Sequence, residues 1–303
     1  MRCQNMTAEP RGPVLRRPVP PAILRQQETS GRRDQPGRFV AGSGKSHTRY
    51  PGQETGVRAG PPARYRWDEV DRLLGDLDFP ALYRGYARDG DTWEKGFPEI
   101  YQLEQKMTTA AKGRTLGLGH VREIARRDGI PDHNLVTCPG RLSILLYIDD
   151  APAYWLMREP ESSIRTVEDQ IPGLGPACTS RVLRFAVPAI FGAINAPLVR
   201  VLGHGDPGAQ RYHLLDLAAT PAGTRWTISA RQPAWPGEYG VWIKTLQAIA
   251  RRLNREEVCC PHPEPFLRSG LRDRDIWAAA DVEMALSSYA SEILRKKCAP
   301  MRC

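Results

Sequence analysis

The chain has no run of 18 apolar residues, so nothing in it reads as a membrane-spanning helix. It also lacks an apolar segment followed by a small-residue cleavage site near its start, which points away from secretion. Its seven cysteines are odd in number and irregularly spaced, which fits neither a disulfide framework nor a ligand set. The expectation is therefore a reduced, cytoplasmic monomer with no membrane association. Basic character, too, is missing from most of the chain. The net charge is +9, but residues 1–64 hold 12 Lys/Arg against 4 Asp/Glu, and the remainder holds 31 against 30. A basic leading segment can bind nucleic acid without specificity through counterion release, and many solvated tails look the same.

Residues 1–64 contain nine Pro and eight Gly with little apolar periodicity, the composition of a disordered tail. Within them, Gly44-Lys45-Ser46 ends like a phosphate-binding loop. The motif needs a glycine five residues before Gly44, where the chain has Phe39, and no apolar strand leads in. A chance Gly/Ser linker is the reading, and no cofactor is expected.

What is present from about Tyr65 onward is helical periodicity. Trp67, Val70, Leu73, Leu74 and Leu77 form one stripe, with Trp67 and Trp93 expected in packing roles. Phe79-Pro80 closes that helix. Leu82, Tyr83 and Tyr86 begin another, broken at Asp89-Gly90. A third carries Ile100, Tyr101, Leu103 and Met107 on one side. Val121 to Arg127 follows, closed by Gly129. Leu142 to Ile148 is a short apolar run ended by Asp149-Asp150, helix or strand by its composition. Arg225 to Ser229 alternates as a small strand would. Tyr239, Trp242, Ile243, Leu246, Ile249, Ala250 and Leu253 recur at helical spacing. Asp275 to Leu294 makes a last helix, in which Asp281 and Glu283 read as a solvated face or as groups turned into a cleft. The pair Cys259-Cys260 with His262 lacks a second ligand pair, so no metal is expected there.

The densest pattern is Val167 to Gly203. Ser163, Ile164, Val167 and Ile171 mark a first helix; Val182, Leu183, Phe185 and Ala186 mark a second; Ile171-Pro172-Gly173-Leu174-Gly175-Pro176 joins them. The two glycines tolerate positive φ, and Pro176 suits a first helical turn. Such a turn presents backbone amides at a helix N-terminus, a ready site for one phosphate, although glycine corners also occur as bare structure.

This stretch resembles the helix-hairpin-helix of the DNA glycosylase superfamily. The specific likeness covers about 35 residues, and the helix layout extends it over roughly residues 65 to 295. The segment Ile194-Asn195-Ala196-Pro197-Leu198-Val199-Arg200 matches the family's catalytic segment, except that Asn195 stands where the family has Asp. Ala177 stands where lyase-type members have Lys. The resemblance implies an all-α, two-lobed helical bundle over residues 65–297. The helix-hairpin-helix would lie at 163–186, a disordered basic tail would precede the bundle, and a frayed end at 298–303 would follow it. It implies contacts to double-stranded DNA from Gly173, Leu174, Gly175, Ala177, Thr179, Ser180 and Arg200. With Asn195 neutral, it implies weak or absent base excision. Two other readings stay open: an active glycosylase using another acid such as Asp149, Asp169 or Glu283, and a helical interaction module that does not meet DNA.

Overall fold

The computed structural model describes residues 66–113, 115–127, 129, 159–171 and 173–298. The tail, the Gly44-Lys45-Ser46 phrase, Pro172, the Leu142 to Ile148 run with Asp149 and Asp150, and residues 299–303 lie outside the described residues.

The described chain is mostly helical, with two small antiparallel sheets. Its elements are α1 (Trp67–Asp76), α2 (Phe79–Arg84), β1 (Ala87–Arg88), β2 (Asp91–Thr92), α3 (Pro98–Lys112), α4 (Leu118–Arg127), α5 (Pro160–Gln170), α6 (Gly175–Ala186), α7 (Ala196–Leu202), β3 (Ala219–Ala222), β4 (Arg225–Ile228), α8 (Gly237–Arg255), α9 (Glu264–Arg268) and α10 (Ala279–Cys298). β1 pairs with β2 across Asp89-Gly90, and β3 pairs with β4 across Gly223.

Local chemistry sets most boundaries. Phe79-Pro80 opens α2 instead of closing α1, because the Asp78 carboxylate accepts from the Ala81 amide and proline occupies the first turn. Asp89-Gly90, both at positive φ, make the β1–β2 turn, not a simple helix break. The last helix begins at Ala279, four residues later than its periodicity suggests. Asp275 sits at φ +63 and Ile276 is 47% exposed, so the preceding segment is a loop. Trp67 opens α1 with 48% of its surface exposed. Trp93 does pack, donating to the Pro261 carbonyl at 2.6 Å with Arg84 stacked on its ring.

One hydrophobic core joins the elements. α10 runs against α2, α7 and α8; α6 lies on α3, α4 and α5; α5 also meets α8. Because α10 is surrounded from Ala279 to Ala290, it has almost no solvated face there, and Asp281 and Glu283 are buried at 0% and 4% exposure. The solvated-face reading of those two acids is thereby overturned.

The buried acids are not isolated. Arg184 on α6 pairs with Glu104 on α3 at 2.6 Å and lies 3.5 Å from Glu283. Arg272 pairs with Glu104 at 2.9 Å and with Asp281 at 2.8 Å. Two guanidinium groups and three carboxyl groups thus tie α3, α6 and α10 together inside the protein, which such groups tolerate only when mutually paired. Burial works against the charged Arg272, but Asp281 and Glu104 outweigh it and hold its guanidinium firmly protonated.

Candidate nucleic-acid interface and the adjoining cleft

The turn between α5 and α6 is formed by backbone conformation and anchored by two apolar side chains. Ile171 is fully buried and its amide closes the end of α5 on the Val167 carbonyl at 3.0 Å. Leu174 is buried at 5%. Between and beside them, Gly173 has φ +91 and Gly175 φ +70. A Cβ added to either meets no atom within 4 Å, so glycine is needed there for its φ and not for close packing. Gly173 is exposed and Gly175 half-buried. No side chain caps α6 at Leu174, and its first turn carries no acid. The positive end of a 12-residue helix therefore begins beside an exposed glycine, with no carboxylate of its own to compete with an anion.

The other residues matched by the resemblance divide sharply. Ala177 is half-buried in the first turn of α6. Leu174 is an anchor in the core. Thr179 and Ser180 are both 0% exposed. The Thr179 hydroxyl donates to the Gly175 carbonyl at 2.9 Å, closing onto its own helix. The Ser180 hydroxyl donates to the Ala177 carbonyl and accepts from the Ile194 amide at 3.0 Å. Arg200 is clamped by Asp206 through Nε at 2.9 Å and Nη2 at 2.7 Å, and stacks on Trp226 at 4.3 Å. Lys297 binds the other oxygen of Asp206. Burial would raise the Asp206 carboxyl, but the hydrogen bonds from Lys297 and Arg200 bring it below the usual range. The side chains of Thr179, Ser180 and Arg200 are thus spent inside the protein. What the turn offers outward is Gly173, Gly175, Ala177 and their backbone.

Ser180 links the turn to a cleft. By holding the Ile194 amide it fixes the extended segment leading to Asn195. Asn195 is the N-cap of α7: its Oδ1 accepts from the Leu198 amide at 2.9 Å. Its Nδ2 donates to the Ser287 hydroxyl at 3.4 Å, and that hydroxyl donates to Glu283 Oε1 at 2.9 Å. Asn195, Ser287 and Glu283 face a cleft of about 150 Å³ whose other walls include Tyr86, Arg181 and Phe185. Gly192 lets α10 approach: a Cβ there would stand 3.0 Å from the Glu283 Cβ and collide with Leu246. Burial pushes the Glu283 carboxyl up, opposed by Arg184 and the Ser287 hydrogen bond. Burial also brings the Arg181 guanidinium down to about 10, helped by neighbouring Arg88. Tyr86 is raised by burial and then by Glu283. The cleft thus holds one acid whose carboxyl is pushed upward by burial, beside cationic side chains, a setting in which perturbed groups collect at functional sites. Asp169, the second acid named above, lies on α5; Asp149 lies outside the described residues. The sequence pointed to Asn195 and to Glu283 separately. It carried no sign of Ser287, Arg181 or Tyr86, which come from distant segments.

A second cluster joins Cys260, His262 and Asp281, whose ligating atoms lie within 4.8 Å of one another. The structure thus supplies a third polar partner to the Cys/His pair. It is bonded internally. Both Asp281 oxygens accept from Arg272 Nε, at 2.8 and 3.1 Å, and one also accepts from the Ala278 amide. His262 Nε2 donates to the Ile276 carbonyl at 2.7 Å, leaving Nδ1 as the acceptor facing Tyr83 and Cys260. Burial, then Asp281, pushes the Cys260 thiol up and away from thiolate. The chemistry is that of a hydrogen-bonded core.

No family model, no curated protein and no solved structure matches the chain.

Proposed function

We propose that this protein grips the backbone of double-stranded DNA through the turn between α5 and α6, without reading sequence, and is weak or inactive as a base-excision enzyme. The observation that carries the reading is the exposed Gly173 and half-buried Gly175, both at positive φ, at the uncapped start of α6. An uncapped helix end with no acid in its first turn favours a phosphate oxygen. Loss of catalysis follows from Asn195, which is neutral and spends its side chain capping α7. Mobility-shift titration of duplex DNA is the test, with wild type and Gly173→Asp, each with and without residues 1–64. Weaker binding by the variant in the shortened chain supports the reading. Equal binding by both removes the turn as the grip. No binding by either shortened protein favours a helical interaction module.

A second reading keeps an enzyme, because Glu283 opens onto the same cleft as Asn195 and is joined to it through Ser287. By the resemblance, the bond between base and sugar breaks with its electron pair going to the base. Water then adds to the sugar carbon, and a carboxylate takes the water proton. Incubation with oligonucleotides bearing altered bases, followed by assay for abasic sites, decides it. Product formed by wild type and lost in Glu283→Gln supports this reading. No product from wild type or from Asn195→Asp argues against it.

A further inference from the structure

His204 and His213 stand away from the turn and the cleft, and neither reading above uses them. Their Nε2 atoms are 2.8 Å apart, with ring planes at 78°. Asp216 Oδ1 lies 3.1 Å from His204 Nε2. We propose that His204 and His213, with Asp216 as a third donor, form a binding site for a divalent transition-metal cation of the zinc class.

The backbone holds both rings in place before any ion arrives. The His204 amide donates to the Leu217 carbonyl at 2.7 Å, and its carbonyl accepts from the Ala219 amide at 3.2 Å. Gly205 follows at φ +95, where an added Cβ would collide with the Ala219 carbonyl oxygen. Only glycine lets the His204 segment lie so close to β3. On the other side, the His213 amide donates to Glu69 Oε2 at 3.2 Å, and its carbonyl accepts from Arg66 at 3.0 Å. The Asp216 amide is held by Glu238 Oε2 at 2.8 Å. Two imidazole nitrogens thus lie side by side on separately pinned segments of chain.

Two Nε2 atoms at this distance share one proton at most. A cation between them satisfies both lone pairs. Tetrahedral zinc with Zn–N near 2.0–2.1 Å sets ligand atoms about 3.3–3.4 Å apart, so the rings need to separate by only about 0.5 Å. The His204–Asp216 spacing needs even less, and the exposed Asp216 side chain has to swing toward His213 to complete the set. Side-chain exposures of 38% for His204 and 58% for Asp216 leave room for the carboxylate to adjust and for water to complete the shell. Glu69 and Asp216 supply negative charge against Arg66. Two imidazoles and a carboxylate suit zinc, copper or nickel better than calcium or magnesium, which prefer oxygen donors alone.

Full-length protein dialysed against EDTA and then titrated with zinc chloride by calorimetry tests the site. One equivalent should bind. His204→Gln and His213→Gln should each weaken binding by more than the roughly 10–100-fold that loss of a supporting partner costs. His120→Gln should leave it unchanged. Far-UV circular dichroism in EDTA establishes that each variant folds. Asp216→Asn, on an exposed side chain, gives an independent weakening if either histidine variant does not. Cobalt provides the spectroscopic check: a complex without a thiolate charge-transfer band belongs to the histidines, and one with that band belongs to Cys260. Absence of zinc binding, binding retained in both histidine variants, or a thiolate band would overturn the proposal.

Discussion

Glu104 offers the sharpest test of how the interior is held. Its side chain is 0% exposed; it forms ion pairs with Arg184 at 2.6 Å and with Arg272 at 2.9 Å, and accepts a hydrogen bond from Arg272 Nη2 at 3.2 Å. Glu104→Gln keeps the shape but removes the charge both guanidinium groups face. Arg184 is then left with Glu283 at 3.5 Å, and Arg272 with Asp281 alone. Removing one member of a buried ion network costs about 3–5 kcal/mol, mostly through the uncompensated charge left behind. At about 2–4 °C per kcal/mol for a domain of this size, Tm should fall by roughly 6–20 °C. Differential scanning calorimetry at pH 7 measures it. A fall under about 2 °C would refute the reasoning, since it would mean that the two guanidinium groups do not depend on Glu104 for their charge balance.

Four further outcomes are expected. Asn195→Ala strands the Leu198 amide and should cost about 0.5–2 kcal/mol in urea unfolding, the loss of an N-cap. Glu283→Gln should change the pH dependence of Tm. The Glu283 carboxyl is raised in the folded state, so its stabilising contribution is complete below its ordinary value of 4.5 and declines as pH rises through the folded value. Wild type should therefore lose stability relative to the variant as pH climbs, and parallel Tm curves would exclude this. Gly205→Ala should cost about 2–5 kcal/mol, because positive φ and collision with the Ala219 carbonyl act together. Gly173→Ala, with open space around it, should cost only the backbone strain of about 1–2 kcal/mol. Equal losses at the two glycines in thermal scans would show that packing does not distinguish them.

Much of this architecture was legible in the sequence where the signal is local. The apolar stripes lie on helices α1, α3, α5, α6 and α8, and the alternating stretch on β4, because periodicity acts over short stretches. Where the reading goes wrong, the missing information is a partner, far away in the chain for the buried acids and nearby but without periodic signature for the rest. Asp281 and Glu283 look like surface acids until Arg272, Arg184 and Glu104 are brought against them. Thr179, Ser180 and Arg200 look available to a ligand until burial and Asp206 claim them. Phe79-Pro80 was read as a stop because the capping role of Asp78 carries no periodic signature. His204 and His213 are nine residues apart in an irregular loop, and nothing in their spacing announces that their rings meet.

The proposed grip on DNA is tested most directly by fluorescence anisotropy of a labelled duplex across a salt series. Wild type and Gly173→Asp are compared, both lacking the basic residues 1–64. Aspartate tolerates positive φ better than most side chains, so the variant keeps the turn while setting a carboxylate before the amides of α6. The account predicts about tenfold weaker binding by the variant and a shallower salt slope, by about one released counterion. Identical affinities and slopes would contradict it.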